Sequence, residues 1–295
     1  MKIAIIRFSA LGDLASLSPI LKSLKYKPTI ITTSIGYEYY KDEFDDFIIL
    51  ENKSILSVSK LIWKIRKNKF DIIFDFQCND RSRLISNFLN SKIFDNKNID
   101  VYKNSTFAIF QSIVLKTDLL KPINFNFTEK EKNFIVLNCG SSENWLSKRL
   151  PFNKWREISI FLNKKFNLPM YLTGDKSEVK YLEELSLHLE GDIKILAGKT
   201  NLLELKSILK NAYLTISTDS AAMHISATQG TPTIGIFGAT NWVRSAPFGP
   251  WSTVVYDKVF YHEGIPSKIN LKEITNCYEN INIEPAIKSL DNYLN

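Results

Sequence analysis

The chain has 295 residues, 44% of them apolar, which is material for two packed domains of ~100–150 residues rather than one. Its formal charge of +7 favours an anionic partner, and its three cysteines, Cys78, Cys139 and Cys277, are too far apart and odd in number for a disulfide framework. Apolar runs are strand-sized, well below the ~20 residues that cross a bilayer; Met1-Lys2-Ile3-Ala4 runs straight into a strand-like segment, so no signal peptide is expected; and three scattered histidines, at 188, 224 and 262, argue against a structural zinc.

In chain order, β-rich apolar runs alternate with helical periodicity. Strands are predicted near 2–7, 28–33, 46–50 and 71–75, with helices near 13–25, 55–68 and 80–90. The stretch Lys121–Asn133, with Pro122 and the charged run Thr128-Glu129-Lys130-Glu131-Lys132, offers nothing to bury and is read as a linker. The pattern then restarts. Strands are expected near 134–138, 168–173, 193–196, 213–217 and 232–236, helices near 153–166, 177–188, 201–210 and 220–229, and a closing helix over Glu284–Leu294. Strand–helix alternation implies parallel sheets with crossover helices, hence an α/β chain of two doubly wound domains, 1–127 and 128–295. In the first, Lys60, Lys64, Arg66, Lys67 and Lys69 accompany Leu61, Ile62 and Ile65 in one amphipathic segment. That composition suits a solvated helix or contact with an anionic membrane.

Ligands of open parallel sheets sit beyond the carboxyl ends of the strands, so the loops after strands are the places to inspect. The first runs Arg7-Phe8-Ser9-Ala10-Leu11-Gly12-Asp13. Gly12 permits close backbone approach or a positive φ. Asp13, at the helix start, is either an N-cap or a carboxylate placed to take a proton from an incoming hydroxyl. One glycine is too few for a dinucleotide fingerprint. The second, Cys139 to Pro151, holds Gly140, Ser141, Ser142, Lys148 and Arg149, suited to neutralising a diphosphate or simply a solvated basic loop. The third, Thr218-Asp219-Ser220-Ala221-Ala222-Met223-His224, opens a helix whose free N–H groups favour phosphate.

Taken together, these segments resemble glycosyltransferase family 9, the lipopolysaccharide heptosyltransferases. Ile5–Asp13 with Pro19 resembles the family's opening, and Asp71-Ile72-Ile73-Phe74-Asp75-Phe76-Gln77 with Arg81-Ser82 its second motif. Lys148-Arg149-Leu150-Pro151 resembles its Lys-x-Trp-Pro element. Asp219–His224, followed by Gly230-Thr231-Pro232 and Phe237-Gly238, resembles its longest signature. Order and spacing carry the match from residue 3 to about 250. This chain departs from the family at Leu150, Ala221, Ala222, Ala239 and Asn241-Trp242, mostly on the donor side.

The resemblance implies a GT-B architecture, two facing Rossmann-like domains with the last helix crossing back onto the first. It implies an inverting, metal-independent transfer from a nucleotide-diphosphate sugar, ADP-heptose foremost, to a lipopolysaccharide core acceptor. No cofactor and no metal are expected, and the chain contains no Asp-x-Asp. Asp13 is expected to be the catalytic base. Lys148, Asp219, Ser220, Ala221, Ala222, Met223, His224 and Thr240 are expected on the donor side, and Ser9, Gly12, Asp75, Gln77 and Arg81 on the acceptor side. The expected setting is cytoplasmic, with peripheral contact at the inner membrane and no nucleic-acid partner. A related transferase using another sugar nucleotide, or a non-catalytic sugar-nucleotide binder, are the alternatives.

Overall fold

The structure, a computed structural model, describes residues 1–125, 127–141, 143–262 and 276–294. Ser142 of the second loop lies outside the described residues. The chain divides into two compact units, Met1–Asn124 and Phe125–Asn295.

The first unit runs β1 (Ile3–Ile6), α1 (Leu11–Lys22), β2 (Thr29–Thr32), α2 (Ser34–Tyr40), β3 (Phe47–Ile49), α3 (Ile55–Asn68), β4 (Ile72–Asp75), α4 (Asp80–Asn87), β5 (Lys92–Phe94) and α5 (Thr106–Val114). Its strands form a parallel sheet in the order β3-β2-β1-β4-β5. The central run Ile3-Ala4-Ile5-Ile6 is buried at every position. Such a run reads as continuously apolar because helices cover both faces of a parallel sheet. Ala4, Ile6, Ile31, Leu61, Ile65 and Ile73 form one of its cores.

The second unit runs β6 (Ile135–Asn138), α6 (Phe152–Phe166), β7 (Met170–Leu172), α7 (Val179–Ser186), β8 (Ile193–Ile195), α8 (Leu202–Asn211), β9 (Leu214–Thr218), α9 (Ala221–Thr228), β10 (Thr233–Phe237), β11 (Ser252–Tyr256) and α10 (Glu284–Ser289). The sheet order is β11-β10-β9-β6-β7-β8, again parallel. Local signals set several ends. Asn201 Oδ1 accepts from Leu203 N and Glu204 N at 2.9 and 3.0 Å, while Glu204 reaches back to Asn201 N at 2.7 Å. That reciprocal capping box starts α8. Asn167, left-handed at φ 51°, ends α6.

Two expectations change. First, α1 begins at Leu11, so Gly12 lies in its first turn with helical backbone rather than a positive φ, and Asp13 is its third residue rather than its cap. Second, the linker does make packing contacts, through its aromatic rings. Phe125 stacks on Phe248, and Phe127 packs against Trp251 and Tyr293. These aromatics draw the start of the second unit to Phe125, ahead of the expected boundary at 127/128. The closing segment packs into the core of the second unit. Ile283, Ile287, Leu290 and Leu294 are buried in the second core, and Tyr213 Oη donates to the Leu294 carbonyl. The apolar spacing of that segment is satisfied in that core.

Gly235 in β10 is set by packing. A Cβ there would press on Met223 Sδ and lie 2.8 Å from Phe237 Cε2, both in the buried core. Gly235→Ala is expected to lower stability by ~1–3 kcal/mol, the usual cost of overpacking, read from the urea midpoint.

Candidate active site

Each sheet begins at an interior strand and winds outward in both directions, which leaves a crevice where the winding reverses. In the first unit the reversal lies between β1 and β4, in the second between β6 and β9. Loops leaving the carboxyl ends of neighbouring parallel strands diverge there, and side chains fill the gap.

At the first reversal, Arg7 ends β1 and is 8% exposed. Its Nη1 donates to the Phe76 carbonyl at 2.6 Å, its Nη2 donates to Asp13 Oδ2, and its guanidinium lies 5.3 Å from the Phe110 ring centre. Burial lowers the Arg7 pKa and the Asp13 charge opposes that shift. Both Asp13 contacts, from Arg7 and from Ala10 N at 3.4 Å, fall on Oδ2. The carboxylate is therefore oriented, while its side chain stays 35% exposed at the loop.

Asp75 and Gln77, the two acceptor-side expectations after β4, are engaged with backbone. Gln77 Oε1 accepts from Phe8 N and Ser9 N at 2.8 and 3.2 Å, strapping the β1 loop to the β4 loop. Asp75 Oδ1 accepts from Gln77 N and Cys78 N, each at 2.9 Å, and the residue is 1% exposed. These bonds hold the turn in which Cys78 takes a left-handed φ of 51°. Burial raises the Asp75 pKa from its ordinary value, against the lowering pull of hydrogen bonds from Cys78 N–H, the Ser82 side chain and Gln77 N–H. Ser9 is exposed at the rim, with Gly12 and Arg81 partly exposed.

At the second reversal, Asn138 ends β6 and is 6% exposed. Its Nδ2 donates to Thr173 O and Oγ1 at 2.9 and 3.1 Å, and its Oδ1 accepts from Ser220 Oγ at 2.7 Å. Ser220 is the N-cap residue of α9, but its side chain makes no cap bond because the hydroxyl turns to Asn138. The first-turn N–H groups of Ala221, Ala222 and Met223 thus lack the usual side-chain acceptor. This changes the part of Ser220: its hydroxyl proton is directed inward, and the backbone amides are the groups placed to meet an anion. Lys148 stands beside them, its Nζ 2.8 Å from Asp219 Oδ2 and 5.7 Å from the Trp145 ring centre. His224 is buried one turn into α9. Thr240 follows β10, its buried Oγ1 without a hydrogen-bond partner among the described residues. Ala222 and Met223 are buried, so they present backbone only. Among the described residues no group of three His, Cys, Asp or Glu side chains is placed to hold a metal ion.

Sequence reasoning missed three members of this arrangement. Tyr278 Oη donates to the Ser147 carbonyl at 2.9 Å and its ring lies where a Cβ on residue 238 would be. It braces the Lys148 loop against the turn after β10, a contact across 131 residues that no local signal announces. Arg7 and Asn138 were legible in principle, as polar residues closing all-apolar strands.

The Asp75 geometry gives a pH-dependent expectation. Its folded pKa is raised, so its ionised form carries a folding penalty above that pKa, and the penalty vanishes below the unfolded value. Asparagine keeps an Oδ1 acceptor for both N–H groups. Asp75→Asn is expected to equal or exceed the parent in urea stability at neutral pH, and the gain is expected to disappear as pH falls through the raised pKa toward the ordinary carboxylate value.

Known proteins resemble this chain in sequence and in fold. The sequence model of glycosyltransferase family 9 (heptosyltransferase) matches residues 102–263. The lipopolysaccharide core heptosyltransferase OpsX of Haemophilus influenzae is 24% identical, over 86% of this chain and 83% of that protein. A family 9 glycosyltransferase structure from Veillonella parvula superposes with a TM-score of 0.78 at 16% identity, over 99% of this chain and 97% of that one. Escherichia coli heptosyltransferase WaaC with ADP-2-deoxy-2-fluoro heptose gives 0.65 at 16% identity, over 86% and 92%. These likenesses show the GT-B fold. With a family match over more than half of its length, the chain belongs to glycosyltransferase family 9, the heptosyltransferase family, and is a glycosyltransferase.

Proposed function

We propose that this enzyme transfers heptose from ADP-heptose to a lipopolysaccharide core acceptor, with inversion and without a metal ion. The observation that carries the donor half is the start of α9. Its cap hydroxyl is held by Asn138, its N–H groups face the carboxyl edge of the sheet, and Lys148 stands beside them. A helix N-terminus with an adjacent cation is a diphosphate site. The names of the relatives support the sugar and the acceptor: one is a lipopolysaccharide core heptosyltransferase, and another is described with an ADP-heptose analogue.

In this reading Asp13 is the general base. The acceptor oxygen bonds to the anomeric carbon as that carbon's bond to the diphosphate oxygen breaks. The hydroxyl proton goes to Asp13, and the electron pair leaves with ADP. Arg7 holds Oδ2 and so fixes which oxygen faces the acceptor. On the donor side, Lys148 and the amides of Ala221, Ala222 and Met223 meet the charge that grows on the diphosphate, usually the largest catalytic contribution. Asp219 releases Lys148 to the phosphates and takes a sugar hydroxyl, with Thr240 Oγ1 a second polar contact. The acceptor meets Ser9, Gly12 and Arg81, with Asp75 and Gln77 holding the turn beneath. The setting is the cytoplasm, at the inner-membrane face where a lipid-anchored acceptor is presented. Among the described residues no helix is long and apolar enough to cross a membrane.

Thermal unfolding with ADP, UDP, GDP or CMP, no metal added, tests the donor. A ligand at about 100 times its Kd stabilises by about 2.7 kcal/mol, a shift of several degrees. A rise selective for ADP, diminished in Lys148→Ala, is expected. A rise selective for UDP or GDP replaces the sugar donor; no rise with any nucleotide overturns the donor site.

Asp13→Asn is expected to lower turnover by ~10²–10⁴ while leaving the ADP-induced rise intact. Unchanged turnover removes Asp13 from the chemistry. Magnetic resonance of the product's anomeric centre reports inversion or retention.

A further inference from the structure

The chain's positive charge is not spread evenly. Residues 52–69, which contain α3, carry Lys53, Lys60, Lys64, Arg66, Lys67 and Lys69 and no carboxylate, a net +6 of the whole chain's +7. The remainder is close to neutral. The same segment leaves large apolar side chains in water: Ile55 is 86% exposed, Leu56 67% and Trp63 62%.

Helical geometry sorts these residues. Leu61 and Ile65, each 1% exposed, pack into the first unit's core. At 100° per residue, Leu56, Lys60, Trp63 and Lys67 fall within a narrow stripe on the opposite side, flanked by Lys64 and Arg66. Lys67 Nζ lies 5.3 Å from the Trp63 ring centre, so cation and indole present themselves together. Two shallow grooves run either side of the Trp63 ridge, one edged by Phe47 and Ile49, the other by Ile62 and Arg66. The carboxylate bordering the first groove is Glu51.

We propose that the outer face of α3 docks the enzyme on a bilayer containing anionic phospholipid, the helix lying parallel to the surface. Lysines reach the headgroup phosphates, while Trp63 and Leu56 enter the headgroup–acyl boundary. Each element of the chemistry selects this occupant. A soluble phosphate would meet the cations and leave the indole and aliphatic groups wet. A protein partner would have to cover many lysines, which protein interfaces deplete. An amphipathic helix with Lys and Arg beside Trp and Leu satisfies both sets of groups only at an interface between water and hydrocarbon. Docking of this kind deepens the transferase reading by naming the surface that faces the membrane. Vesicle binding needs neither donor nor acceptor, so it can fail while the transferase reading stands.

The test is cosedimentation of the full chain with phosphatidylcholine vesicles, with and without phosphatidylglycerol. Binding is expected only with the anionic lipid and is expected to fall as salt rises. Lys60→Glu with Lys67→Glu is expected to weaken it by ~30-fold or more, at the usual contribution of each basic residue near an anionic surface. Trp63→Ser is expected to weaken it by ~10-fold while the salt dependence remains, because the loss is of apolar burial. Lys164→Glu with Lys165→Glu, a matched reversal at exposed positions of the second unit, serves as the control. All substituted side chains are exposed, and thermal unfolding verifies that each variant folds. Binding that is indifferent to anionic lipid, unchanged in the α3 variants, equally lost in the control pair, or competed away by RNA in place of vesicles overturns the proposal.

Discussion

Asn138 is a polar side chain at the end of a buried strand, and its amide decides what the second sheet presents at its edge. A buried amide is tolerated only when its donors and acceptor are met. Thr173 after β7 takes the donors, and Ser220 after β9 supplies the acceptor's partner. One side chain thereby ties three strand ends together. It also draws the natural cap of α9 away from the helix. An uncapped helix start costs ~1 kcal/mol in isolation. Here that loss leaves the first-turn amides of α9 without their usual side-chain acceptor.

The first sheet solves the same problem with different chemistry. Gln77 and Arg7 cross the reversal between β1 and β4 in opposite directions, one accepting from the β1 loop and the other donating to the Phe76 carbonyl. The outcome is an oriented carboxylate instead of a ring of donors. Two sheets with the same winding thus present different groups at their reversals, an oriented carboxylate on one and first-turn amides beside a lysine on the other.

Much of this was legible in the sequence, for identifiable reasons. Strands such as Ile3–Ile6 and Leu214–Thr218 are buried on both faces, so their composition announces them. α8 carries its capping box in Asn201 and Glu204. α2 was missed because Ser-Ile-Gly-Tyr-Glu-Tyr-Tyr has little helix propensity; burial of Tyr39 and Tyr40, with Tyr40 Oη on the Leu14 carbonyl at 2.5 Å, overrides it. β5 is a three-residue strand at the sheet edge, too short to show a period. In the site, Asp13, Lys148 and Asp219 stood out as charged groups in loops after strands. The contacts that brace their loops did not, because those contacts join distant parts of the chain. The reach of Gln77 to Phe8 and of Tyr278 to Ser147 is decided by which strands lie side by side.

Arg7 shows why residue type matters at such a contact. It is buried, and burial lowers the pKa of any cation. For a guanidinium the ordinary value is so high that the group keeps its charge throughout the physiological range. A lysine in the same place would be far nearer to neutralising on desolvation, and it would also lack the fork that serves Phe76 O and Asp13 Oδ2 at once. Lys148 is under no such demand. It is less buried than Arg7, it pairs with Asp219 through a single compact ammonium, and its flexible stem fixes no one geometry on that partner. The rigid, permanently charged cation sits where a carboxylate is held in one orientation, and the flexible one sits beside the open start of α9.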